Sequence, residues 1–331
     1  MKEYEIRPAD IYAEFLRLAA EDAATIFDHS KAARRSCPAC GESISNPAFT
    51  KMGFGFCECQ CCRSLFANPL PPPDAFATFY RDSRAARYWA DVFVPRVMEQ
   101  RRTAIVRPRV EKIRELCRQR DIQPKTALDV GAGHGIFLDE WRAMDRDVQC
   151  YAVEPNTTLA ERCRALGFNV YEGPGETARE SLSGVADVVT CFEVIEHVPR
   201  LTEFASSMQA LLRPGGLAVA TTLGCDGFDI QVLWDQANCI CPPSHINFCS
   251  REGFVRLFER AGFVDVEVLT PGELDVDIVR NKLANGEIAL SRFERMLLSS
   301  GPDALADFQN FLQRNRLSSH SWVVARRPPM R

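Results

Sequence analysis

The sequence predicts an α/β fold: a doubly wound, largely parallel sheet preceded by a small cysteine-rich segment. Three observations predict it. From about Lys125 onward, short apolar runs alternate with amphipathic stretches, the texture of βαβ units. One run leads into a glycine-rich turn, Gly131-Ala132-Gly133-His134-Gly135, which precedes a helical pattern. And six of the fourteen cysteines fall between Cys37 and Cys62. In a chain of this size that clustering points to a metal, not to a disulfide framework.

Length and charge bound the function. The chain has 331 residues with 40 Lys+Arg against 44 Asp+Glu, a formal charge of −4. That length suits two domains, or one large domain with an appendage. Hydrophobic residues at 46% and charged residues at 25% exclude a disordered tail protein, and the charge balance argues against a nucleic-acid partner. No apolar run approaches the ~20 residues of a bilayer span. The start, MKEYEIRPADIYAEF, is acidic and amphipathic and unlike a signal peptide. A cytoplasmic protein is expected.

The elements come in order. Residues 1–36 read as a helical lead-in, with Ile11, Phe15, Leu16 and Leu18 as a weak apolar stripe. Residues 37–72 carry two Cys-x-x-Cys hooks, Cys37-Pro-Ala-Cys40 and Cys59-Gln-Cys61-Cys62. Zinc takes four thiolates in a tetrahedron, and each hook supplies two, so Cys37, Cys40, Cys59 and Cys62 read as a structural zinc ribbon. Cys57 and Cys61 are then spare thiols. A redox pair and a metal-free ribbon are the competing readings. The run Pro71-Pro72-Pro73 marks a domain edge. Residues 73–122 read as an Arg-rich helical connector with solvated charged faces. Residues 123–331 form the sheet domain, through the runs TALDV (126–130), VQCYAVE (148–154), FNVYE (168–172), ADVVTCF (186–192), GLAVATT (216–222), FVDVEVL (263–269) and SHSWVVARR (319–327). Between the last two runs lies a helical insertion, 272–318, which either caps a substrate site or simply packs.

The glycine turn is the first functional signal. Its glycines let a ligand approach the backbone at a helix N-terminus, and Glu154, nineteen residues after Gly135, suits ribose hydroxyls. A dinucleotide and S-adenosylmethionine both fit so far. The third glycine comes one residue too early for the dinucleotide fingerprint. An acid directly before the turn, Asp129, suits a cationic ligand better than a pyrophosphate. The spacing favours the methyl donor.

With these residues in view, residues 126–222 resemble a class I S-adenosylmethionine-dependent methyltransferase, a Rossmann-like seven-stranded fold. LDVGAGHGIFL matches its glycine-rich motif, and AVEPN matches the segment with the ribose-binding acid. DVVTCFEVIEHV matches the fourth-strand motif, and LLRPGGLAVATT matches the helix–turn–strand after it. The resemblance implies that Asp129, Gly131 and Gly133 line the methionine end of the cofactor and that Glu154 holds the ribose. Where the family often has an adenine-binding Asp, this chain has Pro174, with Glu176 or a backbone carbonyl as substitutes. The ribbon ending in FANPLPPP resembles a bacterial subgroup that methylates sugars, glycan intermediates or related natural products. PPSHINFCSREGFVRLFERAGF and TPGELDVDIV resemble methyltransferases encoded with surface-polysaccharide genes.

Methyl transfer is an in-line displacement that needs alignment and, for a hydroxyl acceptor, removal of a proton. Glu193, Glu196 and His197 are expected on one helix face, at i, i+3 and i+4, with His245 as a fourth group. Two carboxylates and imidazoles suit a divalent ion such as Mg²⁺ or Mn²⁺. The set resembles the metal site of small-RNA 3′-terminal 2′-O-methyltransferases and of ubiquinone-pathway O-methyltransferases. His197 or His245 acting as a metal-free base, and a purely structural role, are the alternatives. His29, His134 and His320 read as structural. The expected reaction is O-methylation of a sugar, glycan or related hydroxylated metabolite. RNA methylation is the second reading and a non-catalytic scaffold the third.

Overall fold

A computed structural model describes residues 2–330. Among the described residues eleven strands build two sheets. The cysteine-rich segment gives β1 (Ser45–Lys51), β2 (Phe54–Cys59) and β3 (Leu65–Ala67). The large domain gives β4 (Thr126–Val130), β5 (Gln149–Glu154), β6 (Asn169–Glu172), β7 (Ala186–Phe192) and β8 (Leu212–Leu223). It continues with β9 (Asn247–Phe248), β10 (Val264–Leu269) and β11 (His320–Arg326).

The seven-stranded sheet has the order β10-β11-β8-β7-β4-β5-β6. Strands β4 to β8 pair in parallel, and β11 lies antiparallel between β8 and β10. This is the doubly wound α/β fold the alternating runs imply. The chain winds one way from β4 to β6 and the other way from β7 to β8, so the order reverses between β4 and β7. Ligands of such sheets bind outside the strand carboxyl ends at that reversal.

Local chemistry explains the elements. Every residue of β4 is buried, and β7 is nearly so, as apolar central strands covered on both faces require. The helix Leu201–Leu211 buries Phe204, Met208 and Leu211 on one side. The helix Arg251–Arg260 buries Phe254, Leu257 and Phe258, and Ser250 caps it by accepting from the Gly253 amide at 2.9 Å.

The second sheet, β1-β2-β3-β9, completes the cysteine-rich segment with a strand from the loop after β8. Cys37, Cys59, Cys62 and Phe66 share one buried cluster with Leu128, Val189 and Phe254 of the large domain. Segment 37–72 is therefore joined to the large domain by pairing with β9 and by a shared core, past the polyproline run.

The insertion supplies three helices, Asp275–Ala284, Arg292–Leu298 and Pro302–Arg314. Val276, Val279, Leu298, Leu305 and Leu312 join Phe27, Phe54, Phe56, Phe76 and Phe79 in a second cluster. The lead-in helix Ala9–Ile26 packs Phe15 against Trp89, with ring centroids 4.9 Å apart. Lys2 reaches Asp277 at 3.0 Å and Asn281 donates to Glu3 at 2.9 Å. The insertion thus packs against the lead-in helices and the aromatic cluster.

The connector is one helical path from Arg84 to Arg118, widened to π turns at Trp89–Phe93 and Arg102–Val106. Pro95 and Pro108 sit just after these wide turns, where a proline would otherwise clash with the preceding turn. Its charged faces are not simply solvated. Arg102 and Arg107 both hold Glu140, which is 5% exposed, at 3.1 and 2.7 Å.

Candidate active site

The site begins at the carboxyl end of β4. Gly131 has φ +77° and Gly133 φ +53°, backbone that favours glycine. A Cβ on Gly131 would meet Val194 Cγ2 at 2.5 Å, whereas one on Gly133 would meet nothing within 4 Å. The turn therefore packs on one side and opens on the other. Glu154, at the end of β5, accepts from the Gly133 amide at 2.7 Å and the Asn156 amide at 2.9 Å. Two amides fix the carboxylate and leave lone pairs for a diol. Burial raises the Glu154 carboxyl above its ordinary value. Asp129 is 3% exposed, accepts from the Thr190 hydroxyl at 2.7 Å and is pushed up to about 7 by burial. A buried acid poised in this way, beside an open glycine, suits a cation. Glu176 is half-buried, and burial raises its carboxyl too.

The carboxyl end of β7 departs from expectation. Glu193 takes φ +54°, and a 3₁₀ turn at Ile195–His197 replaces the expected α-helix. Glu193 is thereby turned away from Glu196 and His197. Its Oε1 lies 2.9 Å from Arg109 Nη2, 2.7 Å from the Thr221 hydroxyl and 3.1 Å from His320 Nε2. Burial opposes its charge, but His320 and Arg109 hold it well below the usual carboxylate range. His320, read from sequence as structural, thus sits against Glu193.

Glu196, His197 and His245 do converge, with ligand atoms all within 4.8 Å of one another. The two rings meet edge to face at 4.7 Å. His245 Nδ1 donates to the Cys239 carbonyl at 2.6 Å, and the Cys241 side chain engages the same ring. Thr222 donates to Glu196 at 2.6 Å. Burial and the charge of Glu193 push Glu196 up to about 7. Burial and His245 push His197 down to about 3. Burial opposes the His245 charge as well, but Cys241 and Glu196 push it up to about 9. His197 Nδ1 is buried with no hydrogen-bond partner among the described residues. A neutral imidazole with its buried Nδ1 unpartnered, beside a carboxylate and a second imidazole that would have to shed its proton, is a donor set for a divalent ion.

Cys37, Cys40, Cys59 and Cys62 form the second such group. Their sulfurs stand 3.6 Å apart (Cys37–Cys62) and 3.5 Å apart (Cys40–Cys59). A disulfide would be far shorter, and the edge of a zinc–thiolate tetrahedron is about 3.8 Å. The donor set fits zinc. Cys57 donates to the Asn68 carbonyl and Cys61 is exposed beside Arg256, both outside the group.

Several residues of the site carried no sequence signal. Arg35 donates to the carbonyls of Ala67 (2.9 Å) and Pro199 (3.3 Å) and to Asn247 Oδ1 (2.9 Å). Asn247, 1% exposed, donates to the Val198 carbonyl at 2.8 Å. Tyr80 donates to the His197 carbonyl at 3.2 Å. Together they tie the cysteine-rich segment to the loop that bears Glu196 and His197. Only the unusual burial of an arginine and an asparagine reveals them, and burial is a property of the fold.

The chain is similar in sequence to known methyltransferases. Residues 99–268, about half of the chain, match the sequence profile of a family described as a methyltransferase domain. The chain is 31% identical over 103 residues to a ubiquinone biosynthesis O-methyltransferase of Paraburkholderia xenovorans, covering 30% of this chain and 44% of that protein. It is 27% identical over 171 residues to the protein so named in Psychrobacter cryohalolentis, covering 50% and 61%. The chain thus spans about half the length of the curated relatives it matches. A solved S-adenosylmethionine-dependent methyltransferase from Archaeoglobus fulgidus superposes with a TM-score of 0.44 at 19% identity, over 66% of this chain and 94% of that one.

Proposed function

The chain belongs to the methyltransferase-domain family, and from that membership we propose that it carries a methyl group from S-adenosylmethionine to a hydroxyl oxygen of a small acceptor. The observation that carries the oxygen reading is the convergence of Glu196, His197 and His245 at the carboxyl end of β7, next to the glycine turn. In this reading Asp129 faces the ammonium, Gly131 and Gly133 shape the turn, and Glu154 holds the ribose. Glu176 lies on the adenine side. The bound donor supplies a methyl group on a positively charged sulfur.

The chain itself aligns acceptor with donor and handles one proton. With no ion bound, Glu196, at about 7, is matched to accept that proton near neutral pH, and Thr222 fixes its carboxylate. His197 at about 3 is too weak a base for that task but is in the form that ligates metal. A divalent ion held by Glu196, His197 and His245 would lower the pKa of an acceptor hydroxyl. Two imidazoles and one carboxylate suit Mn²⁺ better than Mg²⁺. Glu193 serves to anchor Arg109 and His320 instead. The four-cysteine group holds a structural zinc in the same reading. The names of the relatives state O-methylation, in accord with an oxygen acceptor. Sugars, glycan termini and related hydroxylated metabolites are the acceptor class proposed, on the resemblance of the ribbon and of the segment around His245.

Calorimetric titration with S-adenosylhomocysteine tests the donor site: one-to-one binding is expected, weakened at least about tenfold in Glu154→Ala. Turnover on nucleotide sugars, followed by mass gain, is expected to stop on chelation and to return with Mn²⁺. Turnover that is indifferent to chelation would leave Glu196 as the base and remove the ion.

A further inference from the structure

Glu193 has one oxygen held fast and the other open. Its Oε1 accepts from Arg109 at 2.9 Å and from the Thr221 hydroxyl at 2.7 Å, and stands 3.1 Å from His320 Nε2. Arg109 is itself fixed: its side chain is 12% exposed and its guanidinium lies 5.1 Å over the Phe192 ring. The Glu193 amide donates to the Thr221 carbonyl at 2.8 Å, so Thr221 grips the residue by backbone and side chain together. Oε2, by contrast, accepts no hydrogen bond among the described residues and is not sealed from solvent, the side chain being 31% exposed.

A plain counter-charge looks different. A guanidinium fork paired with a carboxylate commonly takes both oxygens, as Arg17 takes those of Glu14 at 2.8 and 2.7 Å. At Glu193 the partners crowd onto one oxygen. The backbone there takes φ +54°, unfavourable for a residue with a Cβ, and such outliers persist where contacts hold them and cluster at functional sites. The place suits a ligand as well. Thr221 lies near the carboxyl end of β8, and His320 begins the antiparallel β11 at that same end. Glu193 therefore leans to one side of β7, while Asp129 and Glu154 stand on β4 and β5 on the other. The next residue, Val194, packs on Gly131, and the next residue of β8, Thr222, holds Glu196 at 2.6 Å. The open oxygen thus borders both the glycine turn and the proton-handling loop, across β7 from the donor residues.

We propose that Glu193 Oε2 is a specificity-determining contact for the methyl acceptor, accepting a hydrogen bond from a hydroxyl of that acceptor other than the one methylated. Arg109, Thr221 and His320 are then positioning residues, which keep the carboxylate ionised and aimed. An ionised carboxylate accepts and never donates, so Oε2 selects hydroxyl groups and rejects ether, keto and anionic groups at that place. A ligand without a second hydroxyl covers Oε2 and leaves it unpaired, which is how a site built for a hydroxyl discriminates. This role deepens the methyltransferase reading and rests on it for the identity of the ligand. The grip on one oxygen and the openness of the other stand by themselves.

Glu193→Gln separates the two oxygens. Arg109 and Thr221 donate to whatever stands at the Oε1 place, so they select the amide oxygen there and put an NH2 donor where Oε2 was. The full chain, saturated with S-adenosylhomocysteine, is titrated with UDP-glucose, UDP-galactose and GDP-mannose and with the single-deoxy forms of each. The parent is expected to bind at least one of these sugars. Glu193→Gln is expected to bind it at least about tenfold more weakly, with unchanged affinity for S-adenosylhomocysteine and for UDP or GDP alone. One single-deoxy form is expected to lose as much in the parent and to lose nothing further in the variant. Equal affinity of parent and variant for every sugar overturns the proposal, and so does a parent that binds S-adenosylhomocysteine but none of the sugars. Should Glu193→Gln fail to fold, as thermal melting would show, Glu193→Asp keeps the charge but withdraws the oxygen by one methylene, and the same comparison decides. Sugar binding that is lost in the variant, with no binding of S-adenosylhomocysteine by the parent, would keep the role of Oε2 and sink the methyltransferase reading.

Discussion

Asp129 accepts from one hydroxyl and is otherwise shut away from water, so its ionisation costs more in the folded chain than in the unfolded one. With the folded value raised to about 7, the stability it contributes is full below its unfolded value near 4 and is lost as pH rises through about 7. Ligand binding runs the other way, because an ammonium attracts only the ionised acid. Affinity for S-adenosylhomocysteine is therefore expected to rise several-fold between about pH 6 and 8 and to flatten in Asp129→Asn, as titration at stepped pH would show. A flat profile in the parent would separate Asp129 from the ammonium. Asp129, Glu154, Glu196 and His197 stand out in the sequence because glycine spacing and an acid-rich turn carry their own chemistry, and the structure brings His245 beside the last two. The placement of Glu193 was not legible there. A positive φ at a glutamate is uncommon, and here the side chain is held by Arg109, Thr221 and His320 while its amide donates to the Thr221 carbonyl at 2.8 Å.

At the scale of elements, the seven apolar runs were readable because buried strands announce themselves by composition. β9 was not, since two residues carry no period. Yet β9 is what binds the cysteine-rich sheet to the loop of Glu196 and His197: the Ile246 amide donates to the Glu196 carbonyl and the Ala67 amide to that of Ile246, both at 2.8 Å. Asn247 closes the link through the Val198 carbonyl. Replacing Asn247 with Ala leaves buried carbonyls unpaired and is expected to cost about 1–3 kcal/mol, read by thermal or denaturant unfolding. Turnover should fall more than affinity for S-adenosylhomocysteine, because the loop moves while the glycine turn stays. Equal losses of both would mean that the loop does not position the chemistry. The π turns of the connector were equally silent in sequence, for a wide turn shows only in how a proline is accommodated.

For the whole molecule, the cysteine group is not a detachable module. Its thiols share a core with β4 and β7, and its sheet borrows β9. Cys37→Ser is expected to lower the zinc content by elemental analysis and to shift the single melting transition of the entire chain, with S-adenosylhomocysteine protecting less than in the parent. Two separate transitions, with only the lower one moved, would show an independent ribbon. The doubly wound class was plain from alternation, but this fusion was hidden, because pairing between residues 65–67 and 247–248 leaves no trace in either segment alone. The borrowed strand also sets a timetable. A ribosome delivers Leu65–Ala67 long before Asn247, and the antiparallel partner of β8 arrives only after the insertion has been made. For much of synthesis both sheets present bare, pairable edges, so the nascent chain waits for its own later residues in a state that chaperones, or other nascent copies, can reach first.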